Sequence, residues 1–105
     1  MTANLGAIEI PELRKMGDFL RDKEPHAVAV LTAVNGEKIS FLAVCGKEAV
    51  KAGVKAGDVI KNVTKICGGS GGGKPDSAMG GGKDKLKIDD ALASVDDFVS
   101  AKLGL

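Results

Sequence analysis

Residues 27–45 read AVAVLTAVNGEKISFLAVC, and the fold turns on this stretch. Two β-prone apolar runs, 27–34 and 38–45, flank Asn35-Gly36, the strongest short-range hairpin signal in the chain. The first run is apolar except for Thr32 and does not alternate. Such a strand is covered on both faces, as the middle of a helix-backed sheet is.

The flanking sequence supplies the cover. Pro11 suits the first turn of a helix, and Leu13, Met16 and Leu20 then recur at three- and four-residue spacing. That helix should span 11–23 and stop ahead of Pro25, with Gly17 weakening it slightly. Residues 46–53 suit a short helical segment. Gly57-Asp58 reads as the start of a helix over 58–67 with Asp58 as N-cap. Val59, Ile60, Val63, Ile66 and Cys67 form its apolar stripe, and Lys61 and Lys65 share its other face. Gly68 and Gly69 end it. Ile88, Leu92, Val95 and Val99 mark a last helix over 89–103, with Asp89 and Asp90 at its positive end. Residues 1–10 show no period and read as part of a strand truncated from something longer, with Met1 at a boundary. The expectation is a small single α/β domain: a short sheet with a central hairpin, covered by helices 11–23, 58–67 and 89–103.

Composition narrows the class. The chain has 105 residues, enough for one domain. Its aromatics are three Phe, so the core is aliphatic. Net charge is +1 overall but unevenly spread: −2 over residues 1–37, +6 over 38–87 and −3 over 88–105. A polyanion responds to the local excess, so the near-neutral total does not exclude one. Cys45 and Cys67 are too few for a disulfide framework and, with His26 the single histidine, too few for a four-ligand zinc site. They read as buried free thiols in a reducing, cytoplasmic setting. Neither a signal-peptide pattern nor a membrane-length apolar run is present, so no membrane partner is expected.

Residues 68–82, GGSGGGKPDSAMGGG, hold eight of the fifteen glycines. They read as a loop between two patterned helices. Two readings stand. Glycine can aim several backbone N–H groups at one anion, with Lys74 adding charge and Pro75 holding it extended. Asp76 would then serve loop amides or a sugar hydroxyl. The alternative is a flexible surface loop. Neither a P-loop nor a dinucleotide fingerprint fits, because Pro75 follows Lys74 and the run follows a helix rather than a strand. No catalytic set and no metal set can be assembled; His26 sits at a strand start, and Asp89, Asp90, Asp96 and Asp97 read as a solvated helix face. Lys61, Lys65, Lys74, Lys83, Lys85 and Lys87 bracket the glycines. They suit a phosphate backbone, and the lack of nearby aromatics favours a folded or double-stranded RNA over a single strand.

The run GGSGGGKPDSAMGGGKD, followed by DDALASVDDFVSAKL, resembles the extreme C-terminus of the bacterial alanyl-tRNA synthetase family. ELRKMGDFLRDK, the valine strand and VKAGDVIKNVTKICGG fit as well, so the resemblance covers nearly the whole chain. The family pattern is GGG, Arg or Lys, then P-D-M-A-Q, a small residue and GG. Gly71, Gly72, Gly73, Lys74, Pro75, Asp76, Ala78, Gly81 and Gly82 match it, while Ser77 and Met79 replace Met and Gln. The resemblance implies a DHHA1-type (C-Ala) unit that contacts the elbow of tRNA(Ala). It implies RNA- or phosphate-binding roles for Gly71, Gly72, Gly73, Lys74, Pro75 and Asp76, with Lys61, Lys65 and Lys83 beside them, and no catalytic or metal-binding residue. The unit would work with the catalytic and editing domains of a longer chain. ATP, Mg and an editing-site Zn would belong to that parent, with no cofactor here, and these residues alone would be monomeric. Related DHH-type phosphoesterases carry His where Lys74 stands. That leaves two alternatives: the phosphate-binding half of such an enzyme, or an interaction domain that binds no RNA.

Overall fold

The 27–45 stretch forms the hairpin at the centre of the sheet in the computed structural model, which describes residues 2–103. Strands β2 (Val28–Asn35) and β3 (Lys38–Cys45) pair antiparallel from Val28↔Cys45 to Asn35↔Lys38. Strand β2 starts and ends one residue later than 27–34, and β3 has the expected bounds 38–45. The turn residues are Gly36 and Glu37, and only Gly36 has positive φ, +63°. This is the pattern of a turn with glycine at the first central position, rather than of an Asn-Gly pair that both need positive φ. Asn35 is thereby freed from the turn, and its Nδ2 donates to the carbonyl of Ile8 at 3.0 Å.

A short strand β1 (Thr2–Asn4) lies parallel to β2, in register Thr2↔Val30. It falls where a partial strand was expected; Met1 lies outside the described residues. On the other side β3 pairs with β5 (Ser77–Gly82), and β5 pairs with β4 (Ser70–Gly73), both antiparallel. The sheet is five-stranded and mixed, in the order β1-β2-β3-β5-β4. The glycine run expected as a loop over 68–82 is therefore a second hairpin, and it forms one margin of the sheet.

Helices cover both faces. Helix α1 (Ile10–Lys23) lies on one face, where Leu13 packs with Ala29, Leu31, Leu42 and Val44. Gly17 is buried, and a Cβ there would lie 2.5 Å from Leu42 Cδ2 and 3.2 Å from Val44 Cγ1. What reads as a weak helix position is the place where α1 touches the sheet. The opposite face carries α2 (Lys47–Lys51), α3 (Ala56–Ile66) and α4 (Ile88–Leu103). Val59, Ile60 and Val63 of α3 and Val95 of α4 are buried there against Phe41 and Ala43. Asn62 of α3 donates to Ser94 of α4 at 3.0 Å, and Ser94 donates to the Ala91 carbonyl at 2.7 Å.

Helix α3 starts two residues before the predicted Asp58. Lys55 occupies the N-cap position without a side-chain cap, and Asp58 lies in the first turn. The cause is tertiary: the Ala56 N–H donates to the Pro75 carbonyl at 2.7 Å, so the hairpin tip takes up an amide that a capping side chain would otherwise satisfy. The helix ends as expected, with Gly68 at φ +70°.

One polar group fits poorly. Thr32 lies between Val30 and Val34 on the α3–α4 face, fully buried, and its Oγ1 has no hydrogen-bond partner among the described residues. A buried hydroxyl without a partner opposes folding. Thr32→Val keeps the β-branched shape and removes that group, so it should raise unfolding free energy by about 1 kcal/mol in urea titrations. A loss of stability would show that the hydroxyl is bonded.

Candidate functional site

The glycine hairpin owes its composition first to packing. Gly71 of β4 and Gly80 of β5 face each other, both turned toward α3. A Cβ at Gly71 would lie 2.8 Å from Ile60 Cγ2 and 2.5 Å from the Gly80 Cα; one at Gly80 would lie 2.6 Å from Thr64 Cγ2. Real Cβ atoms do not come this close, so α3 can sit on these strands only because they lack side chains there. Thr64 completes the fit by turning its hydroxyl back to the Ile60 carbonyl at 2.7 Å. Extended strands also alter the cradle reading. Successive N–H groups of β4 point to alternate sides, so they do not converge on one anion. Gly72 instead faces away from α3 and lines a cleft toward α1.

The turn Lys74–Ser77 is fixed in place rather than free. Lys74 N–H donates to the Ser77 carbonyl at 3.0 Å, the Pro75 carbonyl accepts from Ala56, and the Asp76 carbonyl accepts from the Cys45 N–H at 3.0 Å. The Asp76 carboxylate lies 3.6 Å from Arg21 Nη1 of α1. Asp76 thus ties the turn to α1 while its carboxylate stays half-exposed.

The cleft between α1 and the hairpin has a volume of about 460 Å³. Gly72, Gly73 and Met79 line it along the hairpin, and Arg14, Asp18 and Arg21 along the helix. Lys74 stands at its mouth, exposed and in no ion pair among the described residues. Arg14 is likewise exposed and unpaired among them. Arg21 differs. Asp22 lies 3.1 Å from its Nε and Asp18 3.6 Å from Nη2, in addition to Asp76. The hydrogen bond to Asp22, then the charges of Asp22, Asp18 and Asp76, push its pKa above the ordinary value despite partial burial.

The predicted site residues divide into groups. Gly71, Gly72, Gly73, Lys74, Pro75 and Asp76 form β4 and its turn. Lys61 lies on α3 beside β4, its Cε 3.9 Å from where a Gly72 Cβ would be. Lys65 is one turn further along α3. Lys83 follows β5, and six strand residues separate it from the turn by about 20 Å. Lys83 is therefore too far along the strand to share one phosphate with Lys74, whereas Lys61 reaches the hairpin beside Gly72. Lys85 and Lys87, also on the basic segment, are partly neutralised by Glu37 at 3.2 Å and Asp90 at 3.8 Å. Arg14 and Arg21 were absent from the expected set. Their signal is the Arg14, Asp18, Arg21 spacing on one face of α1, which acquires meaning once the hairpin is known to lie opposite.

His26 is exposed at the approach to β2. No group of three or more His, Cys, Asp or Glu among the described residues is placed to hold a metal ion, and no helix among them is long and apolar enough to cross a membrane. Cys45 and Cys67 are buried free thiols. The arrangement sets the exposed cations Lys74 and Arg14 beside a bare glycine floor, a combination that suits an anion.

The DHHA1 domain family matches residues 6–101. An alanine–tRNA ligase of Alkaliphilus oremlandii is 44% identical over 95 residues, covering 90% of this chain and 11% of that protein. The alanine–tRNA ligase of Bacillus subtilis is 41% identical over 103 residues, 98% of this chain and 12% of that one. The chain thus spans about a tenth of the length of these relatives. The crystal structure of the C-Ala domain from Aquifex aeolicus alanyl-tRNA synthetase superposes with a TM-score of 0.87 at 33% identity, over 94% of this chain and 88% of the other.

Two predictions come from this geometry. Gly80→Ala should lower unfolding free energy by about 1–3 kcal/mol, because the new methyl meets Thr64 and strand backbone; denaturant unfolding measures it, and an unchanged midpoint would contradict the close packing. The second concerns pH. Burial, and then the charge of Asp76, push the Cys45 thiol up to about 11. An unfolded thiol ionises nearer 9.0, so between these values the native state holds more protons than the unfolded one. Stability is then fully present below that window and falls as pH rises through it. Under reducing conditions the chain should lose stability above pH 9.0 more steeply than Cys45→Ala does; parallel curves would contradict it.

Proposed function

This chain belongs to the DHHA1 domain family, and from that we propose that it is the tRNA-binding accessory domain of an alanine–tRNA ligase. In this reading it contacts the elbow of tRNA(Ala) and holds the molecule for aminoacylation and editing by other domains of a longer cytoplasmic chain. The observation that carries the reading is the Lys74 turn: a cation at the tip of a hairpin, anchored on three sides, beside a glycine floor and the exposed Arg14. A phosphate backbone can approach Gly72 closely because glycine has no side chain of its own, and Lys61 Cε lies 3.9 Å from where its Cβ would be. Lys61, Lys65 and Lys83 then supply contacts spaced along a strand rather than around a point.

Such contacts position without reading sequence, which suits recognition of the elbow by shape. The contribution to the parent reaction would be raised effective concentration and a fixed orientation of the acceptor end. ATP and Mg for activation, and Zn for editing, would be held by those other domains. The residues here bind and orient, and the chain by itself would be a monomer without catalytic activity.

The test is tRNA binding by this chain at two salt concentrations, for wild type and Lys74→Ala. Affinity should fall with salt, and the variant should bind roughly three- to tenfold more weakly with a log–log salt slope shallower by about one. Salt-independent binding, or equal affinities for the two proteins, would refute the reading.

A further inference from the structure

A second cleft lies across the Arg21–Asp76 pair from the first, and its chemistry is different. Its volume is about 730 Å³, within the range of about 300–1,000 Å³ usual for small-molecule sites. Pro25, Cys45, Val50 and Pro75 give it apolar walls, with Arg21 and Lys47 among the polar groups that line it. We propose that this cleft receives one unstacked nucleotide, with its base against the apolar wall and the Arg21 guanidinium and its phosphate at Lys47. The nucleotide is one carried by the bound RNA, so the proposal rests on the RNA-binding reading above.

Three observations support it. First, the charge of Arg21 is already matched by Asp18, Asp22 and Asp76, at 3.6, 3.1 and 3.6 Å. What remains for a ligand is a flat guanidinium held in a set orientation, with its side chain only 24% exposed. Guanidinium planes stack on unpaired bases, and a fixed plane loses little freedom on binding. Second, Lys47 is exposed and in no ion pair among the described residues, whereas Lys51, which also lines the cleft, has Glu48 at 3.6 Å. One free cation beside an apolar wall fits a base with a single phosphate better than a run of phosphates. Third, the two clefts share Arg21 and Asp76 as their common wall. A strand with a phosphate at Lys74 would therefore pass directly into the second cleft. None of the three phenylalanines lines this cleft, and Phe41 is fully buried.

The experiment follows backbone amide NMR shifts of this chain on adding AMP, inorganic phosphate, or tRNA. AMP should move the amides of residues 45–51 where phosphate at equal concentration does not, and tRNA should move them as well as those of residues 71–74. Lys47→Glu, an exposed change, should weaken both AMP and tRNA binding about tenfold. Val50→Glu should do the same, with its melting curve checked because Val50 is half-buried. Equal responses to AMP and phosphate, or no response at 45–51, would overturn the proposal. A response to AMP but not to tRNA would overturn the assignment to RNA and leave a site for a free nucleotide. If tRNA moves residues 71–74 alone, the second cleft is excluded while elbow binding stands; if tRNA moves neither, elbow binding falls too.

Discussion

The close seat of α3 on two strands of glycine is the constraint from which the rest of the structure follows. Ile60 and Thr64 occupy the space where side chains at Gly71 and Gly80 would be. That contact fixes the outer strands against the core although they contribute little side-chain surface of their own. It also places the start of α3 at the hairpin tip, where Ala56 binds the Pro75 carbonyl. With the tip held there, Asp76 reaches Arg21, and the wall between the two clefts is made. The glycines that look like a ligand-binding motif are thus divided between two tasks. One set admits the helix, and Gly72 on the other face leaves room for a ligand.

Much of the architecture could be read from the residues. The non-alternating apolar run of β2 announced a strand covered on both sides, and helices on both sides are what cover it. The stripes of α3 and α4 predicted their buried faces, including Val95. What could not be read depended on contacts between distant segments. Gly17 looks like a flaw until Leu42 is placed above it. Helix α3 looks capped by Asp58 until Pro75 is seen to take the Ala56 amide. The SGGG and SAMGGG segments carry almost none of the side chains from which strands are recognised; SAMGGG is held by pairing with β3, SGGG by pairing with SAMGGG, and both by packing with α3. Lys74, Pro75 and Asp76 were found because they interrupt glycine. Arg14 and Arg21 were not, because nothing local connects α1 to a turn more than fifty residues later.

The distribution of charge changes in three dimensions. The sequence concentrates positive charge in residues 38–87, at +6. In the folded chain Lys85 and Lys87 of that segment face acidic partners, while the cleft at the tip gains Arg14 from a segment that is acidic in sum. Three carboxylates around Arg21 leave a cation whose shape matters more than its charge. Local fields of this kind are set by which side chains have partners, and a segment total conceals them.

The poverty of side chains in the glycine hairpin also bears on the order in which the chain assembles. Strands β4 and β5 give up more backbone freedom on ordering than other strands, and gain it back only from a sheet edge and a helix already in place. The β2–β3 hairpin closes over a two-residue turn, whereas β5 joins β3 across more than thirty intervening residues. Loop-closure entropy therefore favours early formation of the central hairpin and late docking of the glycine strands. By the same reasoning their amides should be among the first to open in native-state hydrogen exchange. The surface proposed for RNA would then be the region of the sheet that an ordering partner stabilises most.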